Sequence, residues 1–538
     1  MAPKFLEGTT PSGFGCMAIA SIGALLYGFD NGWWGTILGT HAFLRDYGSC
    51  ETVNGKDTCH LTAPQVSAGS AVQSVGISKL SMNPCHVLSL LTLEVLGCIL
   101  AAYVNETIGR RLSLVTTASI SIIGIVIELT SAVGSPRYSQ FVVGKTVAAL
   151  AMGMAVNVVP IYLSETSTAA ARGFAINMYQ NIMLVGAITA SGVVYGTSQL
   201  QTAACYLIPI GLQLFAPTML IIMAPMLPES PRWLVTKGRN EAAATAAKRL
   251  FATNMNSFDA DDYVEKIHLA VQEDRAQASA GWKDMLRGPD LRRLLIGVGI
   301  QCLAQAQGVT YILNYISYFL GYAGITDIFP YVISAFCVNY VGVLTGHFLP
   351  DKFGRRVLVI CTSLICGVSL VIMSALMVVE GNKASGVVMV VLLFIWMGSL
   401  GAQSPLVWII TAESAPTRNR ERVIATSIFF GFGIALLTSS VSPFLQDPEY
   451  GNLGGKIGFL WASFSFVTVA WVFFLLPEMK GFSLEQLDYL FNKGTPTRKF
   501  KSYVFSDSVL AVQDTGLRNK EDAELEKSPQ ERTVEHSA

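Results

Sequence analysis

Gly109-Arg110-Arg111 returns as Gly354-Arg355-Arg356, 245 positions later. Glu165, with Arg172 seven residues on, returns as Glu413 with Arg420 at an offset of 248, and Pro228-Glu229 returns as Pro477-Glu478 at 249. Polar landmarks in one order at a nearly constant offset mark two homologous halves. Each landmark closes or opens a long apolar run. A duplicated membrane bundle is the natural reading, and such bundles are typically carriers whose site lies between the halves.

Composition agrees. Of 538 residues, 51% are hydrophobic and only 14% charged, where an average soluble chain has about a quarter charged. Apolar stretches of about 20 residues suffice to cross a bilayer. They fall near 14–38, 67–102, 113–133, 139–162, 175–197, 204–227, 293–320, 328–349, 357–379, 387–411, 423–446 and 457–476, six per half. The expected fold is an all-α membrane protein with twelve transmembrane helices in two pseudo-symmetric six-helix bundles, 14–227 and 293–476. A polar linker, 228–292, joins them, with helix-like stretches at Asn240–Ala252 and Asp261–Gln277. Residues 1–13 form a short polar start, and 477–538 a charged tail whose composition predicts it to be largely disordered.

Lys and Arg crowd the even connections, from Arg110 and Arg111 to the stretch Lys352–Arg356 and the tail from Lys480. That asymmetry places both termini in the cytosol. The polar start Met1–Ser12 runs into a span too long for a signal-peptide core, so the first helix is expected to stay in place. Most of the ten cysteines sit in apolar runs, where they serve as small buried hydrophobes. Cys50 and Cys59 instead share the first outside loop, which makes them a candidate disulfide pair. The sequon Asn105-Glu106-Thr107 falls on the cytosolic side and should stay unused. Nothing in the chain has the pattern of a nucleophile, a metal cluster or a phosphate-binding loop, so no enzyme activity, cofactor or nucleic-acid partner is expected.

The landmarks resemble the sugar-porter branch of the major facilitator superfamily, especially its fungal members, from about Phe14 to Phe491. Pro160-Ile-Tyr162-Leu-Ser-Glu165 with Arg172-Gly173, Pro228-Glu-Ser-Pro-Arg232-Trp-Leu, and Pro477-Glu-Met-Lys-Gly481 carry the resemblance together. It implies the major facilitator fold and an alternating-access carrier with its solute at mid-membrane. The implied partners are a small molecule such as a sugar or glycoside and the lipid bilayer, with a monomer in the plasma membrane as the expected state. Ala102-x3-Glu106-x2-Gly109-Arg110-Arg111 is similar to the family's loop motif, and Asp351-x2-Gly354-Arg355-Arg356 is its counterpart. The arginines could merely set topology. Paired with Glu165 and Glu413, and completed by Arg172 and Arg420, they would instead form a cytosolic gate whose bonds break when the inside opens.

Asp30 is the only charge in the first span, and an intramembrane carboxylate is a functional candidate by default. Its expected partner is Lys145. Asp30 lies 16 residues beyond Phe14 and Lys145 17 before Tyr162, so both stand about 24–26 Å above the inner boundary. In the family, Asp at this place accompanies proton symport, with the proton as coupling ion and Arg more usual where Lys145 stands. A purely structural buried pair is the plain alternative.

The resemblance assigns Gln180, Gln305, Asn339 and Trp408 to the solute pocket: amides both donate and accept, and an indole offers a face. Each such amide alone would more often bond a neighbouring helix. Several family positions have changed, to Ala304, Thr310, Gly431 and Leu207, which opens the pocket to a less polar solute, such as a secondary metabolite. A non-transporting nutrient sensor on the same scaffold is the alternative from another class. Breaks are expected at Gln307-Gly308 and Ser404-Pro405, and close helix packing at Gly192-x3-Gly196 and Gly342-x3-Gly346. The second span carries a surplus of 17 residues, about Ile77–Leu93, as either a retained in-frame intron or a genuine insertion.

Overall fold

The computed structural model describes residues 10–53, 56–70, 93–168, 171–252, 258–277, 284–322, 325, 327–378, 383–416, 419–482, 484–500 and 503. The surplus in the second span falls almost wholly outside them. Among the described residues, ten helical segments, two of them interrupted, are long and apolar enough to cross a membrane. Of the remaining two expected spans, the fifth is a 26-residue helix, Arg172–Thr197, and the second appears as two flanking pieces.

In the first half, α1 (Pro11–Ile37) is followed by the short α2 (His41–Tyr47), a hairpin of β1 (Ser49–Val53) and β2 (Lys56–His60), and α3 (Ala63–Ser70). Then come α4 (Leu93–Ile108), α5 (Arg110–Thr130), α6 (Tyr138–Thr166), α7 (Arg172–Thr197), α8 (Ala204–Leu212) and α9 (Phe215–Met223). The linker holds α10 (Pro231–Thr236), α11 (Asn240–Phe251) and α12 (Ala260–Gln277). The second half comprises α13 (Gly288–Ala306), α14 (Val309–Tyr322), α15 (Phe329–Phe353), α16 (Arg355–Val378), α17 (Lys383–Ser414), α18 (Arg420–Gln446) and α19 (Ile457–Leu475), and α20 (Leu484–Asn492) follows in the tail.

Local chemistry explains several boundaries. Thr10 caps α1, its hydroxyl oxygen accepting from Gly13 N at 2.8 Å ahead of Pro11 at the first position. The same hydroxyl donates to Leu250 O at 2.6 Å and ties the first span to α11. Cys50 pairs with Cys59 across the hairpin, and the two form a disulfide. The expected break of the seventh span is present: α13 stops at Ala306, and Gly308 turns at φ +84° before α14 begins. The expected break at Ser404-Pro405 is not. α17 continues through Pro405, where Gly401 packs so closely on α15 that its Cβ would lie 2.2 Å from Asn339 O. The sixth span breaks instead, between α8 and α9, leaving Gln213 and Leu214 as the joint.

Gly342 and Gly346 do let α15 meet α17, with Gly398 O and Ala402 O 2.3 and 2.6 Å from where a Cβ would stand. Gly192 and Gly196 do not serve this way, since nothing lies within 4 Å of either. The close crossing in the first half is made by α1, where Gly28 and Gly32 lie directly on Met183 and Ala187 of α7.

The two halves meet at the end of the molecule distal to its termini. There Ser317 Oγ on α14 donates to Gly35 O on α1 at 2.6 Å, and Ser67 Oγ on α3 donates to Ser440 O on α18 at 3.0 Å. Tyr195 of α7 packs on Phe329 of α15, ring centroids 6.2 Å apart. One apolar core spans this junction and unites Trp33, Phe43 and Tyr206 with Tyr311, Trp396 and Trp461. Toward the termini each half has its own core. One gathers Met17, Met154, Tyr162 and Leu250. The other gathers Ile300, Val359, Ile410, Phe491 and Phe500. Tail residues beyond Phe491 are therefore partly ordered, and Phe500 is fully buried.

Candidate functional site

Two sites emerge, one at the termini-side loops and one in the distal part of the first bundle. At the first, both halves repeat the same kind of network. Gly109 and Gly354, at φ +93° and +92°, each turn the chain into a new helix, a conformation that favours glycine. In the first half, Arg110 N and Arg111 N donate to Glu229 Oε1 at 2.8 and 3.2 Å. In the second, Arg355 N donates to Glu478 Oε1 at 2.9 Å and Arg356 N to Glu478 Oε2 at 3.2 Å. Each Pro-Glu landmark thus supplies a carboxylate to a helix N-terminus, where free N–H groups and the helix dipole favour negative charge. Burial pushes the Glu229 carboxyl above its usual range, against the pull of those N–H groups and of Arg110.

The arginine side chains do the rest. Arg110 holds Glu165 through two bonds, 2.8 and 2.9 Å, and Arg355 holds Glu413 at 3.0 Å. Each pair lies within one half, and both are intact while the distal ends are closed. Glu106 is exposed, and its backbone oxygen rather than its carboxylate is used, accepting from Trp233 Nε1 at 3.1 Å. Arg111 and Arg356 are partly buried; Arg356 lies 5.5 Å from the Phe473 ring. Arg420 opens α18, partly buried. The side chains of Arg172 and Asp351 lie outside the described ones. Glu229 and Glu478 belong to this network although sequence reasoning used them only as landmarks; their equal spacing in both halves was the signal.

At the second site, Asp30 and Lys145 come together as the depth estimate predicts, Lys145 Nζ donating to both Asp30 oxygens at 3.4 Å. Both residues are 5% exposed. Around them stands a cage that sequence reasoning did not find. Lys145 Nζ lies 5.0 and 5.2 Å from the ring centroids of Trp33 and Trp34, and desolvated cation–π contacts of this kind are worth about 2 kcal/mol or more. Trp33 Nε1 donates to Asp30 Oδ1 at 3.1 Å. Gln213, at the joint in the sixth span, lies between the two; with its amide oriented to satisfy both, the nitrogen donates to Asp30 Oδ1 at 3.1 Å and the oxygen accepts from Trp33 Nε1 at 2.7 Å. The only sequence signal for Gln213 was a lone amide in an otherwise apolar run.

Of the four pocket residues, Gln180 lies on the fifth span and the other three on α13, α15 and α17 of the second half. Gln180 is partly buried on α7, and Gln305 Oε1 accepts from Thr310 Oγ1 at 3.4 Å. Asn339 donates its amide to Met397 O at 3.0 Å, which joins α15 to α17. Trp408 is 43% exposed. Two further amides were missed. Gln301 donates to Thr411 Oγ1 at 3.1 Å and fills the space beside Gly431, where a Cβ would lie 3.3 Å from its Oε1. Gln307, at the helix break, is 1% exposed with neither amide atom bonded.

Residues 16–491 match the family described as Sugar (and other) transporter. The chain is 28% identical to the probable glucose transporter rco-3 of Neurospora crassa, over 92% of this chain and 82% of that one. It is 26% identical to the high glucose sensor RGT2 of Saccharomyces cerevisiae, over 74% of this chain and 53% of the sensor. In three dimensions it resembles the xylose transporter XylE of E. coli in an inward open conformation, with a TM-score of 0.69 at 19% identity, covering 89% of this chain and 99% of that structure. That likeness is one of fold, the two-bundle major facilitator architecture.

Proposed function

The chain belongs to the sugar transporter family, whose members are multi-pass membrane proteins and not enzymes, and from that premise we propose that it carries a sugar or sugar-like solute across the plasma membrane by proton-coupled alternating access. The termini-side end is the cytosolic one, so the conformation with joined distal ends is closed to the outside. The observation that carries the coupling is the buried Asp30–Lys145 pair in its indole cage. A carboxylate beside an ammonium is held ionised; when the partner withdraws, the carboxyl takes up a proton. Binding and release of that proton, linked to the rocking of the halves, would drive uptake. The monomer suffices for this.

A less polar solute, such as a glycoside or a secondary metabolite, is favoured by one observation. Asn339 spends its amide donor on the α17 backbone, which leaves less amide capacity for hydroxyl groups. A sensor on this scaffold would bind its ligand without flux, and the yeast glucose sensor among the relatives keeps that reading in play. The test is uptake by the reconstituted full chain of labelled glucose, xylose and a panel of glycosides, with and without an inward pH gradient. We expect gradient-driven accumulation in the wild type, lost in Asp30→Asn while solute exchange persists. Accumulation that survives Asp30→Asn would refute the coupling, and binding without flux for every solute would favour the sensor.

A further inference from the structure

Glu128, in the distal third of α5, is a buried acid to which the transport reading gives no task. It is 0% exposed, and neither carboxyl oxygen has a hydrogen-bond partner. A carboxylate ion without water or donors is costly, so this arrangement suits the neutral acid. Its neighbours explain why it stands here. α5 crosses α6 at Gly144, where a Cβ would lie 2.6 Å from Glu128 N and 2.8 Å from Glu128 Cγ. The side chain therefore passes the backbone immediately before Lys145, and it senses the charges of both Lys145 and Asp30. From α2, Tyr47 faces the same region, its hydroxyl 2.7 Å from Ser131 Oγ, with Tyr206 and Asp46 behind it, 3.0 Å apart. α9 offers no titratable side chain, and the side chain of Glu94 in α4 lies outside the described ones.

Asp30 thus bonds Lys145 directly, while Glu128 packs on the residue immediately before it. We propose that Glu128 is a second proton-binding group of the transport cycle, exchanging with Asp30 as counter-ion of Lys145. In the state shown, Asp30 is the anion and Glu128 carries the proton. When a proton from solution forms an O–H bond at Asp30, Lys145 loses its anion and turns toward Glu128. The Glu128 O–H bond then breaks, and its proton leaves to water. Transfer of the proton from Asp30 to Glu128 restores the starting state, so one proton enters at Asp30 and one leaves from Glu128. The triad is electrically neutral before and after, which spares the bundle a net buried charge. Lysine suits the exchange because its ammonium is a point charge on a flexible stem, whereas arginine is a fixed fork.

This inference rests on the symport reading, but the two can fail separately. The full chain in vesicles is treated with dicyclohexylcarbodiimide, which modifies protonated carboxyls in apolar surroundings, and the peptide containing Glu128 is quantified by mass spectrometry. We expect modification in the wild type, at least fivefold less in Asp30→Asn, where Lys145 is free to ionise Glu128, and undiminished modification at alkaline pH in Lys145→Gln. Equal modification in wild type and Asp30→Asn, or none in the wild type, would overturn the exchange. If Asp30→Asn does not fold, the Lys145→Gln comparison decides alone, and a wild-type pH profile of modification identical to that of Lys145→Gln overturns it. Gradient-driven glucose uptake that persists in Asp30→Asn would sink the symport reading while leaving the labelling result intact.

Discussion

Replacing Ser317 by alanine removes a hydrogen bond that exists only while the distal ends are joined. Ser317 is 3% exposed, and its hydroxyl donates to Gly35 O at 2.6 Å, with Thr36 O farther off at 3.4 Å. Once the halves part, the hydroxyl and the carbonyls turn to water, so the net loss is that of an ordinary exchanged bond, about 1 kcal/mol. That is a shift of about fivefold toward the state open at the distal end. Ser67→Ala removes the bond to Ser440 O, on a different pair of helices. Its effect should add, giving about 2 kcal/mol and roughly thirtyfold for the double variant. The assay is labelling of Phe329→Cys by an impermeant maleimide. Phe329 is 9% exposed and covered by Tyr195, so the thiol reacts only when the distal ends separate, at a rate proportional to the open population. Rates within twofold of the parent in the double variant would refute the closure as described. Effects that fail to multiply would show that the halves do not part as one unit.

Three other outcomes follow from the same geometry. Gly39→Ala should raise the labelling rate too, because its Cβ would stand 2.3 Å from Ile328 Cδ1 and 3.2 Å from Ser317 Cβ when the ends are closed; a lower rate would contradict the contact. Gln213→Leu removes the amide between Asp30 and Trp33 but leaves their direct bond and the Lys145 contacts, and should lower thermal stability by about 1 kcal/mol; an unchanged melting curve would remove Gln213 from the site. Glu478→Gln should cost about 0.3–1 kcal/mol through the lost charge at a helix N-terminus, read from its melting curve. The folded Glu229 carboxyl titrates above its unfolded value, so the native state binds more protons in that window and the stability from this group declines as pH rises through it. Comparison of wild type with Glu229→Gln across pH 4.5–7.5 should show that slope in the wild type alone, and a slope of opposite sign would refute it.

The architecture and both charged sites were legible because polar residues in apolar runs are conspicuous and expensive. Asp30 and Lys145 could be paired by arithmetic alone, since helical rise converts residue number into depth. The arginines and glutamates of the loops were visible because they recur. What stayed hidden depends on helix rotation and on neighbours. A Gly-x3-Gly spacing does not say which way its face points, so Gly192 and Gly196 were misread while Gly28 and Gly32 carry the contact. Pro405 marks a candidate break, yet α17 continues through it where Gly398, Gly401 and Ala402 pack closely on α15. Gln213, Gln301 and Gln307 gain meaning only from what surrounds them. Trp33 and Trp34, which the sequence did not single out, form the cage around Lys145.

The two sites divide the work differently between the halves, and this bears on how the carrier moves. The arginine–glutamate pairs and carboxylate caps are duplicated, and each stays within its own half. They are intact in the conformation whose distal ends are joined. Their effect is to weld each helix–loop–helix turn to its bundle, which lets each half move as a rigid body. Among the described residues, the polar contacts between the halves at the distal end are ordinary hydroxyl–carbonyl bonds, set beside one ring pair and the shared apolar core. A barrier made of several bonds of about 1 kcal/mol is within reach of a solute's differential binding to the two states. The Asp30–Lys145 cage has no counterpart among the repeated landmarks, and Trp33 and Tyr311 share the core that closes the distal end. A change of charge at Asp30 therefore acts on a residue pair one turn from that core, where moving Lys145 off the two indoles would loosen the wall on which the second half rests.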